Sequence, residues 1–209
     1  MDNDFKRCFT MTKQILTFII SLTIATTTFG QTITYDDFKE VIPFLQKEDF
    51  KGAYEITSKL LKSTSNDNSD LRGIVTYMNI FSATGMVTLD QMTYEEFEKI
   101  TKKFIGQYVV MSAHPCLDSL AKGYNSIQFI TNKNGKLEGM TIASNKQKTN
   151  ILCFEYFDYA DSINPSEMIG KYVRCGGTLS AIEINPNKSK IWVTRLRVSN
   201  AFARIMTPR

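Results

Sequence analysis

Apolar residues recur at spacings of three and four through the first part of the chain and at every second position through the rest, with the change near Gly106. In "DDFKEVIPFL", Phe38, Val41, Ile42 and Leu45 make a helical stripe behind two acids suited to a helix start. Pro43 is expected to end or bend that helix, because it lacks the N–H of an interior turn. Phe50, Ala53, Tyr54, Thr57, Leu60 and Leu61 form a second stripe, and the polar run "STSNDNSD" (63–70) reads as a loop. "LRGIVTYMNIFSATGMV" is apolar all round and predicts a buried helix. Thr93, with Glu96 three residues on, has capping-box spacing for one more.

The later runs are short and rich in β-branched and aromatic residues: "QYVVMSA", "NSIQFITN", "LEGMTIAS", "NILCFEYF", "KYVRCGGTLSAIEI" and "KIWVTRLRVS". "NKNGK" carries Asn134-Gly135, a tight-hairpin signal, and "YADSINPSEMI" (159–169) predicts one short helix between strands. One phrase occurs twice, as "FIGQYVV" (104–110) and "MIGKYVR" (168–174), each entering a predicted strand through a glycine.

Residues 15–29, "ILTFIISLTIATTTF", are uncharged, follow Lys13 and end at small residues before Gln31. A spanning helix needs about 20 apolar residues, so this pattern predicts a cleaved signal peptide over 1–30 and a periplasmic or secreted protein. Met11 is a better start than Met1, since Asp2 and Asp4 are unusual in a basic leader. No stable membrane span is expected after cleavage. Charge then divides the remainder: residues 31–101 carry 7 Lys/Arg and 12 Asp/Glu, whereas 102–209 carry 15 and 7. Such asymmetry fits a helical domain over 31–103 and a β domain over 104–209, whose opposite signs favour docking.

The β region resembles the OB-fold of the tRNA-anticodon-binding-like type over residues 102–201. A Gly-polar-Tyr-Val strand opens it at 106–110, "NILCFEYF" and a short helical link follow, and Gly-Lys-Tyr-Val opens a later strand at 170–173. The resemblance implies an α+β protein: antiparallel helices, then a small five-stranded barrel whose first and fourth strands are neighbours. In such a barrel Gly176-Gly177 serves a sharp bend. The same adjacency implies a disulfide between Cys116 and Cys175, with Cys153 an inert core thiol. Residues 49–87 also loosely resemble a tetratricopeptide helix pair, with Gly52 and Ala53 at the close contact.

Catalytic signatures are missing. The single histidine, His114, has no partner at ligand spacing, so neither a metal nor a cofactor is implied. Phosphate-cradling glycine loops, nucleophile elbows and Cys-X-X-Cys pairs do not occur. Glu155, Asp158 and Asp161 read as loop-solvating carboxylates. These features argue against an enzyme and leave a binding surface. OB-folds bind across the second and third strands and the loops beside them. That mapping selects Gln128, Phe129, Phe154 and Tyr156, with Lys133, Lys136, Lys146, Lys148, Lys188 and Lys190 around them; Arg174, Arg195 and Arg197 add a basic stripe. Aromatics among basic residues suit single-stranded nucleic acid, whereas an exported protein meets glycans, peptides and envelope proteins. The expectation is a non-enzymatic binding protein for the latter, its helical part contacting a protein partner. A nucleic-acid-binding OB protein is the alternative.

Overall fold

The structure is a computed structural model, and it describes residues 31–118 and 123–207. The expected leader lies outside them. Thr32–Arg209 forms one compact unit of four helices followed by a seven-stranded sheet.

Each helix begins on a side-chain cap. Helix α1 (Tyr35–Gln46) and α4 (Tyr94–Thr101) start in capping boxes, where Thr34 and Thr93 exchange hydrogen bonds with Asp37 and Glu96. Asp49 caps α2 (Phe50–Ser63) and Ser69 caps α3 (Asp70–Thr88). Satisfying these first-turn amides is worth roughly 0.5–2 kcal/mol per helix. Helix α1 runs three residues past Pro43 instead of ending there. Pro43 faces solvent, so water can take the carbonyl that its missing N–H leaves free.

Helix α3 is buried along nearly its whole length, as its all-round apolar sequence requires. Its contact with α2 is close because Gly85 lies against the Phe50 ring, where a Cβ would sit about 2.2 Å from a ring carbon. Ala53 is buried in that layer with Ile74 and Met78, whereas Gly52 packs on Phe44 of α1. Asn79 ties the helices together by donating to the Thr57 and Ser58 hydroxyls at 2.9 and 2.8 Å. Arg72, also buried, reaches back to the end of α2. Its guanidinium donates to the Leu61 and Thr64 carbonyls and to the Thr64 hydroxyl.

The strands are β1 (Tyr108–Val110), β2 (His114–Pro115), β3 (Ile127–Thr131), β4 (Leu137–Ser144), β5 (Ile151–Tyr159), β6 (Tyr172–Ile184) and β7 (Trp192–Ile205). They lie in the order β1-β6-β7-β5-β4-β3, with β2 also on β6. Only β5 and β7 run parallel; the other ladders are antiparallel. The sheet is open, not the closed five-stranded barrel expected. One isolated parallel bridge, Cys116 to Ile127, spans from the β2 side to β3. The interior is filled by α3, whose Tyr77, Ile80 and Ala83 share a core with Leu152, Phe157, Leu179 and Leu196.

The doubled phrase has a structural meaning. Gly106 and Gly170 both take positive φ, +86° and +78°, where an L side chain is strained. Each precedes a strand and donates its N–H across to the segment that the other opens: Gly106 to the Leu179 carbonyl (2.7 Å), Gly170 to the Cys116 carbonyl (2.9 Å). Between them β1 and β2 pair antiparallel with β6, Val109 opposite Gly177 and His114 opposite Val173. The bend predicted at Gly176-Gly177 is a register shift between Gly176 and Thr178. The "NKNGK" hairpin joins β3 to β4, with the Asn132 side chain accepting from the Asn134 and Lys136 amides.

All three described cysteines are free and buried. The bond expected between Cys116 and Cys175 is not formed. The Cys175 sulfur turns to the Tyr159 hydroxyl at 3.5 Å, and that of Cys116 turns to the Leu117 carbonyl. Burial pushes the Cys175 thiol up to about 12. No helix among the described residues is long and apolar enough to cross a membrane.

Candidate binding face on the sheet

Alternation along the strands sorts residues to two faces, and the ladders align the outward ones in rows. One row reads Gln128, Met140, Tyr156, Arg197 and Ala181 across β3, β4, β5, β7 and β6. The next reads Ile142, Phe154, Arg195 and Glu183. Met140, Ile142, Phe154, Tyr156 and Arg195 are half-buried and Arg197 is exposed, so this surface is open to a ligand.

Arginine and aromatic groups interlock on it. The Arg195 guanidinium carbon lies 4.6 Å from the Trp192 ring centroid, and Arg197 lies 5.3 Å over Tyr156. Phe154 meets Trp192 edge-on at 5.8 Å. Glu183 accepts from Arg197 Nε at 2.5 Å, which holds that guanidinium flat and raises its pKa. Arg195 differs. It forms no ion pair with any described residue, and its buried Nε has no hydrogen-bond partner. A half-buried guanidinium with an unpaired Nε–H is suited to donate to the oxygens of a carboxylate or phosphate. The face offers stacking and anion contact.

The structure brings only some of the sequence-selected residues to this face. Tyr156 lies on it, and Lys136 joins its rim by pairing with Asp158; Gln128 shares the row but is buried, so it is not offered to a ligand as expected. Phe129 does not: it is core, with its ring 5.9 Å from that of Tyr159. Consecutive strand residues point to opposite faces, so Gln128 and Phe129 cannot share one. Lys133 and Lys148 are exposed in the β3–β4 and β4–β5 turns. Lys146 clamps its turn to the α1–α2 connection, its amide donating to Glu48 (2.6 Å) and its ammonium to the Gln46 carbonyl. Lys188 and Lys190 pair with Glu95 and Asp90. These basic loops therefore meet the acidic helices. Arg174 stands elsewhere, opposite Arg204 at the other end of β6. Trp192, Met140 and Glu183 were not singled out by sequence, although the alternation of β7 and β4 carried the signal.

Glu155 corrects another expectation. It is fully buried instead of solvating a loop, and both carboxylate oxygens are taken, by the Tyr77 hydroxyl (2.5 Å) and the Thr141 hydroxyl. Burial raises its pKa despite both hydrogen bonds. Its neighbour Cys153 lies 3.7 Å from the Thr84 hydroxyl, again on the α3 side. His114 sits in β2, its pKa lowered by burial. Among the described residues no group of three His, Cys, Asp or Glu side chains is placed to hold a metal.

No protein family, curated protein or solved structure matches this chain.

Proposed function

We propose that this is an exported, non-enzymatic binding protein whose OB-like sheet takes a glycan, peptide or envelope protein on the aromatic–arginine face. The observation carrying this reading is Arg195, stacked on Trp192 with its Nε–H unpaired, in a row with half-exposed aromatics. The OB-like reading draws support from the strand order. If 108–117 and 127–131 are two pieces of one first strand, β4, β5, β6 and β7 follow as second to fifth, with third and fifth parallel. The helical segment, which presents Tyr35 and Leu89 to solvent, contacts a protein partner in this reading.

Trp192 is the single tryptophan, so its fluorescence reports directly on the face. Titration with acidic and neutral cell-wall oligosaccharides and with acidic peptides is expected to change that emission. Arg195→Ala is expected to weaken the effective ligand about tenfold, the range of a lost charge-assisted hydrogen bond. A wild-type emission that none of these ligands alters overturns the assignment. Stacked arginines and aromatics also favour the second reading, single-stranded nucleic acid. An oligothymidine titration at two salt concentrations separates the two: steeply salt-dependent binding supports nucleic acid, and no binding at low salt removes it.

A further inference from the structure

A second surface lies away from the sheet face. A groove of about 820 Å³ runs between α2 and the end of α4, walled by Tyr54 and Ile100. Three lysines line it, Lys59, Lys62 and Lys103, the last with its ammonium 4.8 Å from the Phe104 ring centroid, against one carboxylate, Glu55. Lys59 and Lys62 stand within the acidic segment 31–101, and Lys103 lies just beyond it. Elsewhere Lys39, Lys136, Lys188 and Lys190 each meet a carboxylate. No ion pair among the described residues includes any of the three groove lysines.

The end of α2 accounts for only part of this charge. Lys62 lies in its last turn, but Arg72 already donates to the Leu61 and Thr64 carbonyls there. Lys103 sits partly desolvated beside Lys62, and both effects lower its pKa. A hydroxyl completes the set. Ser58 Oγ accepts from the buried Asn79 amide, and no described residue accepts its own proton.

We propose that this groove binds a phosphate-bearing ligand, with the phosphate among Lys59, Lys62, Lys103 and the Ser58 hydroxyl and the body of the ligand along Tyr54 and Ile100. Ammonium groups and a hydroxyl donor match the acceptor oxygens of phosphate, and one carboxylate against three cations leaves room for a single such group. The phosphate has two possible sources, a soluble ester or a lipid headgroup.

Calorimetric titration of the intact protein with glucose 6-phosphate, with glucose as control, tests the first source. Co-sedimentation with phosphatidylglycerol against phosphatidylcholine vesicles tests the second. Binding is expected in one arm and not in its uncharged or zwitterionic control. Lys62→Gln/Lys103→Gln is expected to weaken it about tenfold or more, while Lys133→Gln, in the exposed β3–β4 turn, leaves it unchanged. The lysines are exposed, so the double variant keeps its thermal transition, and a melt checks this. Binding in neither arm, or binding unaffected by the double substitution, overturns the proposal.

Discussion

Three residues carry consequences beyond their own contacts. Glu155 is a buried carboxylate whose pKa is raised, so folding favours its protonated form and ionisation works against the fold. Its contribution is complete below the ordinary carboxylate range and is lost as pH rises through the higher folded value. Glu155→Gln keeps the shape and removes the charge. The difference in melting temperature, variant minus parent, is expected to grow between pH 5 and pH 8; a flat difference argues against the assignment. Gly106 and Gly170 admit no side chain without strain, so alanine at either is expected to cost about 1–2 kcal/mol in denaturant unfolding. Arg72→Ala leaves the end of α2 without its partners and is expected to cost about 1–3 kcal/mol by the same measurement. The buried thiols give a chemical readout. Cys116, Cys153 and Cys175 are expected to resist Ellman's reagent in the native protein at pH 8 and to react once it is unfolded.

Elements were more legible than the way they associate. The change of period near Gly106 separated helices from strands, because a buried face imposes 3.6 or 2 on any chain that forms it. The Thr93–Glu96 box and the Asn134-Gly135 hairpin are local devices, and each lies where its residues indicate. Partners far apart in the chain were not legible. Nothing around Lys188 or Lys190 names Glu95 or Asp90, nor does anything around Glu155 name Tyr77. Even so, Glu155 shares the parity of Cys153, Phe157 and Tyr159, all buried, and strict alternation already puts it inside. Helix α3 packs its Tyr77, Ile80 and Ala83 into the core of the open sheet, a long-range association that the period of neither segment announces.

At the scale of the whole molecule the two halves of opposite charge are joined through the basic loops. Lys146, Lys188 and Lys190 all reach the helices from neighbouring turns, and Asn150 links those turns by donating to the Lys190 carbonyl. Exposed pairs contribute little each and are screened by salt, so Lys188→Gln/Lys190→Gln is expected to shift the melting temperature only slightly. A large loss would mean that the loops are held by more than charge. Both proposed surfaces remain clear of this junction. The sheet face lies across β4, β5 and β7, and the lysine groove lies between α2 and α4.

The position of β7 makes it the strand on which both sides of the sheet depend. It follows the other described strands in the chain, yet it lies between β6 and β5 and supplies the only parallel ladder among them. Without it the β3–β4–β5 meander would meet β6 chiefly through the Cys116–Ile127 bridge on the β2 side. Residues 192–205 therefore act as a keystone, and loosening that one segment parts both sides at once.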